Sequence, residues 1–363
     1  MPASVDLPSR TTVIERFKGQ GGRIAAVLPI HYPRALFRAF GMLPIEVWGP
    51  PGVDKSTGDA HLQAYACSTV RAGLSFILSG AGEVADAILV PHTCDSLQAL
   101  ASVLLDFTKP HQMVLTLYVP KAERASDLEF LGKELRRVFG RLVELTGQRP
   151  TDAELHAAMD REQQADEVLA RLLSERGKLG VGNREFYGVV RSREYLPAEE
   201  FASLARAALD KWAGAPLPKR TPILATGIMP EPMDVLDALD EAGLSIVADD
   251  FAGSGRRLYK ASTARDPFDR MAKTLLSGSP DPTRGCGIQP RIDHLVDLAK
   301  RTGARGALFY EIKFCEPEAF YVPLVTRGLQ AAGVPCLAVE VDITDPMPDQ
   351  LVTRIEAFAE SLS

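Results

Sequence analysis

Short apolar runs alternate with amphipathic stretches along most of the chain. RIAAVLPI (23–30), ADAILVPHTC (85–94) and MVLTLYVP (113–120) are continuous apolar segments of strand length, the pattern of strands buried on both faces. LPIEVWG (43–49) predicts another strand, closed by the Pro/Gly break at 50–52. Between them, PRALFRAFGM predicts a short helix stopped at Gly41. CSTVRAGLSFILSG (67–80) predicts a helix with Leu74, Ile77 and Leu78 on one face, and DSLQALASVLLDF (95–107) an apolar helix.

The same phrase returns after the linker APLPKRTP (215–222). PILATGI (222–228) and SIVADD (245–250) predict strands around the helix EPMDVLDALDEAG, and a Pro/Gly-rich stretch follows. PRIDHLVDLAKRTG (290–303) is an amphipathic helix, and GALFYEIKFC (306–315) a strand ending in cysteine. YVPLVTRGLQAAG, VPCLAVEVDI and QLVTRIEAFAESL read as helix, strand and helix. Strand–helix alternation at this spacing implies βαβ units and parallel sheets. The expected fold is α/β: two Rossmann-like doubly wound domains, 1–125 and 214–363, with a charged helical insert at 126–213. In the insert, Thr151-x-x-Glu154 is a capping box ahead of an apolar helical stripe. Its charges read first as a solvated face and second as a partner surface.

At 363 residues, 46% hydrophobic and 24% charged, the chain is long enough for two cores. A net charge of -6 argues against a nucleic-acid binder. No apolar run approaches membrane-span length, and the N-terminus has no apolar signal core, so a cytoplasmic location is expected. There the five cysteines are not expected in structural disulfides. They stand at 67, 94, 286, 315 and 336, with no CxxC and no HxxxH, which excludes a compact zinc ribbon or ferredoxin loop. Buried small apolar residues are the plain alternative for each.

Flanking sequence separates three of them. Cys94 and Cys315 end strands in different halves, where open parallel sheets place their ligands. Cys67 opens a helix, a favourable place for a thiolate. If the sheets face each other, the three sulfurs can meet. Three thiolates suit a [4Fe-4S] cluster with one iron left open for Lewis-acid chemistry, or a zinc site with an open fourth position.

PHTCDSLQAL (91–100), ACSTVRAGLSFILSG (66–80), IHYPRALFRAFGMLPIEVWGPP (30–51), DDFAGSGRRLY (249–259), the long run 291–344 and the closing TRIEAF carry a resemblance. The sequence resembles the 2-hydroxyacyl-CoA dehydratase and benzoyl-CoA reductase family from about residue 20 onwards, least in the insert. The resemblance implies a [4Fe-4S] cluster between two Rossmann-like domains, with its ligands falling on Cys67, Cys94 and Cys315. It also implies an acyl-CoA thioester substrate and a homologous second subunit, with self-pairing as the alternative. A separate ATP-dependent iron–sulfur activator would supply one electron. In the dehydratase branch a ketyl radical loses hydroxide to give a 2-enoyl-CoA; in the reductase branch electrons enter an aromatic ring. Ala35 stands where many relatives carry Glu, which favours a partner subunit that passes electrons over the one that holds substrate. A double-cubane branch needs more ligands than Cys286 and Cys336 offer.

Other residues are weighed the same way. His31 follows the first strand and is the candidate proton donor, with turn or capping duty as the alternative. His92 lies two residues before Cys94 and is a candidate supporting residue. Ser68 and Ser96 read as helix caps that could also bond cluster sulfides. Arg256 or Arg257 could bind a phosphate or carboxylate of the thioester, or pair with Asp249 and Asp250. Cys286 reads as a loop cysteine and Cys336 as core packing. The segment Gly19-Gln20-Gly21-Gly22 lacks the third glycine of a dinucleotide fingerprint and precedes a strand, so it supports no nicotinamide site. No P-loop is present, so this chain is not expected to be the ATPase. A metal-free two-lobed binding module remains the third reading.

Overall fold

The computed structural model describes residues 5–49 and 52–362, so Pro50 and Pro51 of the Pro/Gly break, the first four residues and Ser363 lie outside the described residues. Among the described residues the apolar runs form eight strands. β1 (Arg23–Val27), β2 (Met42–Glu46), β3 (Ala87–His92) and β4 (Met113–Tyr118) build one parallel sheet in the order β2-β1-β3-β4. β5 (Thr221–Gly227), β6 (Leu244–Phe251), β7 (Gly306–Ile312) and β8 (Cys336–Val341) build a second in the order β6-β5-β7-β8. The two orders are the same, so the duplication expected from the strand–helix phrase is real at the level of topology. Each order reverses between its first and third strand, which opens a crevice at their carboxyl ends.

In the first lobe α1 (Arg10–Gly19) precedes β1, α2 (Arg34–Ala39) joins β1 to β2, and α3 (Ser56–Asp59) and α4 (Ser68–Leu78) lead to β3. α5 (Asp95–Ser102) runs on into a π-helical turn, Val103–Thr108, before β4. The insert holds α6 (Ala125–Thr146), α7 (Asp152–Glu175), α8 (Asn183–Ser192) and α9 (Ala198–Ala213). The second lobe adds α10 (Asp234–Glu241), α11 (Pro267–Leu276), α12 (Ile288–Thr302), α13 (Glu316–Ala331) and α14 (Asp349–Ser361). The capping box forms: the Thr151 amide donates to Glu154 at 2.7 Å and the Glu154 amide to Thr151 Oγ1 at 3.3 Å. α11 sits in the stretch that reads as irregular; the Asp266 cap ahead of Pro267 and the spacing of Phe268, Met271, Leu275 and Leu276, all buried, mark it as a helix.

The largest core is shared by both lobes and contains side chains from both sheets together with Cys67 and Cys315. A second core lies on the other face of the first sheet, under α2, α6, α7 and α11; α11 thus reaches from the second lobe to pack on α6. A third covers the outer face of the second sheet. One glycine is required by close approach: a Cβ on Gly227, at the end of β5, would stand 2.1 Å from the Tyr310 carbonyl oxygen of β7.

Charge is buried along the seam between the lobes. Arg257 reaches from the loop after β6 to Glu46 at the end of β2, with its Nη2 2.7 Å from Oε2 and Nη1 also bonded to Oε1. The Tyr32 hydroxyl donates to the same carboxylate at 2.7 Å. Within the insert, Arg193 pairs with Glu162 at 2.5 Å and with Asp166 at 2.9 Å. Arg257→Met leaves Glu46 buried without its main partner. Removing one member of a buried pair costs about 3–5 kcal/mol, so urea unfolding should show a fall of that order with an unchanged slope.

Glu311 of β7 stands opposite Glu340 of β8 in register. Burial first, then Glu340 and Glu318, push its carboxyl up to about 7. An unfolded glutamate releases its proton near ~4.3. The folded state therefore binds more protons between these limits, and stability falls as pH rises through that window. Glu311→Gln should flatten this slope in unfolding titrations from pH 4.5 to 7.5.

Candidate functional site

Each of the three singled-out cysteines occupies the N-cap of a helix: Cys67 for α4, Cys94 for α5 and Cys315 for α13. Three helix N-termini, two from the first lobe and one from the second, thus carry a thiol. Their partial positive charge and free N–H groups favour an anionic sulfur or an anionic ligand. Cys67 and Cys315 are buried and Cys94 is half-buried. The backbone holds the arrangement. The Ser68 amide donates to the Lys313 carbonyl at 3.0 Å, tying the start of α4 to the turn before α13. The Cys67 amide faces Ser96 Oγ of α5 at 3.4 Å. Phe314, just before Cys315, takes a positive φ of 62°. Its ring lies against Lys313 Nζ at 5.4 Å and the Arg71 guanidinium at 6.0 Å.

The thiols sense one another. A hydrogen bond from Cys315 draws the Cys67 thiol below its ordinary range, helped by the amides of Thr69 and Val70. The same hydrogen bond, then burial, drive Cys315 upward, and the nearby Glu318 and Cys94 add to it. Burial pushes Cys94 up to about 12, with Cys67 as a further charge. The hydroxyls of Ser68 and Thr93, neighbours of two of these cysteines, are buried without a partner. His92 is half-buried with neither ring nitrogen bonded, and its ring meets Tyr118 edge-on at 4.3 Å.

Among the described residues, no three His, Cys, Asp or Glu side chains are grouped as the ligands of one metal ion. A [4Fe-4S] cubane takes each thiolate on a different iron. The donor set suits such a cluster: three thiols at helix N-termini, in an enclosed seam, beside unpaired hydroxyls able to bond sulfide. Cys67, Cys94 and Cys315 would hold it.

The remaining candidates are placed as follows. His31 is buried, with a φ of 61°. Its Nε2 lies 2.9 Å from Asp281 Oδ2 and its Nδ1 3.1 Å from the Tyr259 hydroxyl. Arg256 and His31 hold Asp281 ionised, far below the usual carboxylate range. Burial lowers His31, so the neutral ring donates from Nε2 to Asp281 and accepts from Tyr259. Both nitrogens are thus committed to protein partners. Arg256 and Arg257 are enclosed in ion pairs, with Asp250, Asp281 and Glu318 for the first and Glu46 for the second. The ion-pair alternative describes them, although Asp249 is not a partner: it accepts from Ser254, Tyr187 and the Gly255 amide. Cys286 lies apart, half-buried beside Asp281, Arg291 and Tyr321. Cys336 begins β8, packs against the third core and is pushed up to about 12 by burial. Glu318 and Asp281 are the site residues that sequence reasoning missed; Asp281 shows locally only as a turn cap on Thr283, and the partners that bring both to the site lie 25–250 positions away.

Two cavities lie elsewhere. One of about 370 Å³ runs between α2, α7 and α11 and includes Ala35 and Tyr259. One of about 1010 Å³ lies under α1 against β1 and β2. Neither is lined by a cysteine.

Duplicated doubly wound lobes that gather three cysteines at helix N-termini along their seam define a two-lobed α/β protein with a thiol-lined centre. The chain belongs to the 2-hydroxyglutaryl-CoA dehydratase D-component family, whose model matches residues 29–362. It is 26% identical to the (R)-phenyllactyl-CoA dehydratase beta subunit of Clostridium sporogenes, over 96% of this chain and 94% of the relative. It is equally similar, at 26%, to the (R)-2-hydroxyglutaryl-CoA dehydratase subunit beta of Acidaminococcus fermentans, over 98% and 96%. A benzoyl-CoA reductase subunit of Thauera aromatica is 24% identical over 94% and 91%. No helix among the described residues is long and apolar enough to cross a membrane.

In the metal-free chain one thiolate should form well before the others. Its absorbance step should vanish in Cys67→Ser and persist in Cys336→Ser; a step that survives in Cys67→Ser would contradict the assigned hydrogen bond.

Proposed function

We propose that this chain is the beta-type iron–sulfur subunit of a cytoplasmic 2-hydroxyacyl-CoA dehydratase-type enzyme. The observation that carries the reading is the convergence of Cys67, Cys94 and Cys315 on one seam, each at a helix N-terminus. The beta-subunit names of the dehydratase relatives support it. So does Ala35, a small apolar residue buried in α2 where a substrate-handling carboxylate would stand. The overall reaction removes water from a 2-hydroxyacyl-CoA to leave a 2-enoyl-CoA. It is redox-neutral: one electron enters the thioester to form a ketyl radical and is recovered after hydroxide leaves. When bound, the cluster supplies a store for that electron and an iron open to oxygen.

This chain's own residues have three tasks. Cys67, Cys94 and Cys315 hold the cluster. The N-termini of α4, α5 and α13 offset its negative charge. The shared core around Cys67 and Cys315 keeps water away. A homologous subunit would complete the enzyme, and a separate ATP-dependent iron–sulfur activator would deliver the electron. The similarity to a benzoyl-CoA reductase subunit favours a second reading, in which the same centre serves an aromatic acyl-CoA reductase.

Iron and acid-labile sulfide on anaerobically purified protein test the cluster. About four of each per chain are expected, lost in Cys67→Ala, Cys94→Ala and Cys315→Ala and kept in Cys336→Ala. Zinc in place of iron, or no metal in strictly anaerobic protein, would overturn the reading. Retained iron with no binding of an acyl-CoA thioester by the isolated chain is the result expected of a beta-type subunit.

A further inference from the structure

We propose that the buried chain His31–Asp281–Arg256–Glu318 positions Cys315 against the first lobe and balances the charge beside its sulfur. This rests on the reading that Cys315 joins Cys67 and Cys94 in holding a cluster.

Cys315 and Cys94 belong to different lobes, so their separation depends on how the seam closes. Glu318 lies three residues after Cys315, in the first turn of α13, and is 4% exposed. Arg256 grips it with two parallel bonds, Nη1 to Oε1 at 2.5 Å and Nη2 to Oε2 at 3.1 Å. Such a fork fixes orientation as well as distance. Arg256 is itself 1% exposed and is held by Asp250 at 3.0 Å and Asp281 at 3.4 Å. Asp281 caps the turn at 282–284 through the Thr283 amide at 2.8 Å, then accepts from His31 at 2.9 Å. His31 lies four residues beyond the end of β1, the neighbour of the strand that leads to Cys94. Each member is held by at least one partner besides its neighbours in the chain, except Glu318, which is carried by α13. The start of α13 is therefore tied through this chain, and through the Ser68 amide on the Lys313 carbonyl, to the first lobe.

The chain also sets charge. Glu318 stands in the first turn of the helix that Cys315 caps, and Arg256, bonded to it at 2.5 Å, is the cation that offsets its charge. In an enclosed site an uncompensated carboxylate is felt strongly, and local charge tunes cluster potential. An ordinary structural ion pair would affect stability alone.

The test uses wild-type protein, Arg256→Met, Arg256→Lys and Glu318→Gln, reconstituted anaerobically with ferrous iron and sulfide. Iron per chain, iron loss to a chelator, the cluster's midpoint potential and its paramagnetic spectrum after reduction are measured, with circular dichroism as the fold check. Arg256→Met should lose iron at least tenfold faster and move the potential downward. Arg256→Lys should recover part of both. Glu318→Gln, nearly isosteric, should keep its iron and move the potential upward. If Arg256→Met does not fold, the Glu318→Gln potential decides. Folded variants with wild-type potential, spectrum and iron retention would overturn the positioning role alone. Wild-type protein that takes up no iron would overturn both this role and the cluster reading.

Discussion

The guanidinium of Arg257 leaves the second lobe and ends on Glu46, at the tip of a strand in the first. Both groups are buried, and a buried charge without its partner is strongly disfavoured. The pair can be satisfied at only one separation of the lobes. The rest of the seam repeats the constraint: His31 meets Asp281, and Lys55 meets Asp342 at 3.0 Å. Enclosed polar contacts of this kind, the Arg257–Glu46 ion pair above all, are weak evidence for net stability, because desolvation offsets the attraction. What they do supply is geometry. Three cysteines on two lobes stay in register because the charged contacts between those lobes tolerate little sliding.

The duplication explains where the cysteines stand and why they are not equivalent. Cys94 and Cys315 follow the third strand of their respective sheets and cap the next helix. Cys67 caps the helix that leads into the third strand of the first lobe. Its topological counterpart is Cys286, one residue ahead of the Gly287 cap of α12. Cys67 is drawn to the centre by backbone bonds to Lys313 and Ser96 at the start of α4. Cys286 is turned instead toward Asp281 and Tyr321. The repeated topology thus yields a three-thiol centre with a fourth cysteine set aside.

Membership of the dehydratase family gives this centre a chemical setting, and the polar seam fits that setting. A low-potential cluster needs an enclosed, preorganised site more than it needs many catalytic side chains. His31, the candidate acid, has both nitrogens occupied, and the candidate phosphate-binding arginines are sealed in ion pairs. These residues serve the frame around the thiols, as the proposed cluster-bearing role requires.

Much of this was legible in the chain. Apolar runs of strand length marked the eight strands, because a strand buried on both faces leaves no other pattern. The capping box at Thr151 marked the start of α7, and cysteines at strand ends marked the crevice where both sheets open. These are local signals, carried by neighbours in sequence. Helix α11 escaped because its stripe is short and sits in proline- and glycine-rich surroundings. The roles of His31, Arg256 and Arg257 were left between two readings, since a charged residue looks the same in sequence whether it meets a ligand or an ion-pair partner. Glu318 gave no sign at all, and Asp281 none beyond a turn cap. Their meaning lies in contacts across 62 and 250 positions, and only the closing of the two lobes, driven by apolar burial and fitted by paired charge, brings those groups together.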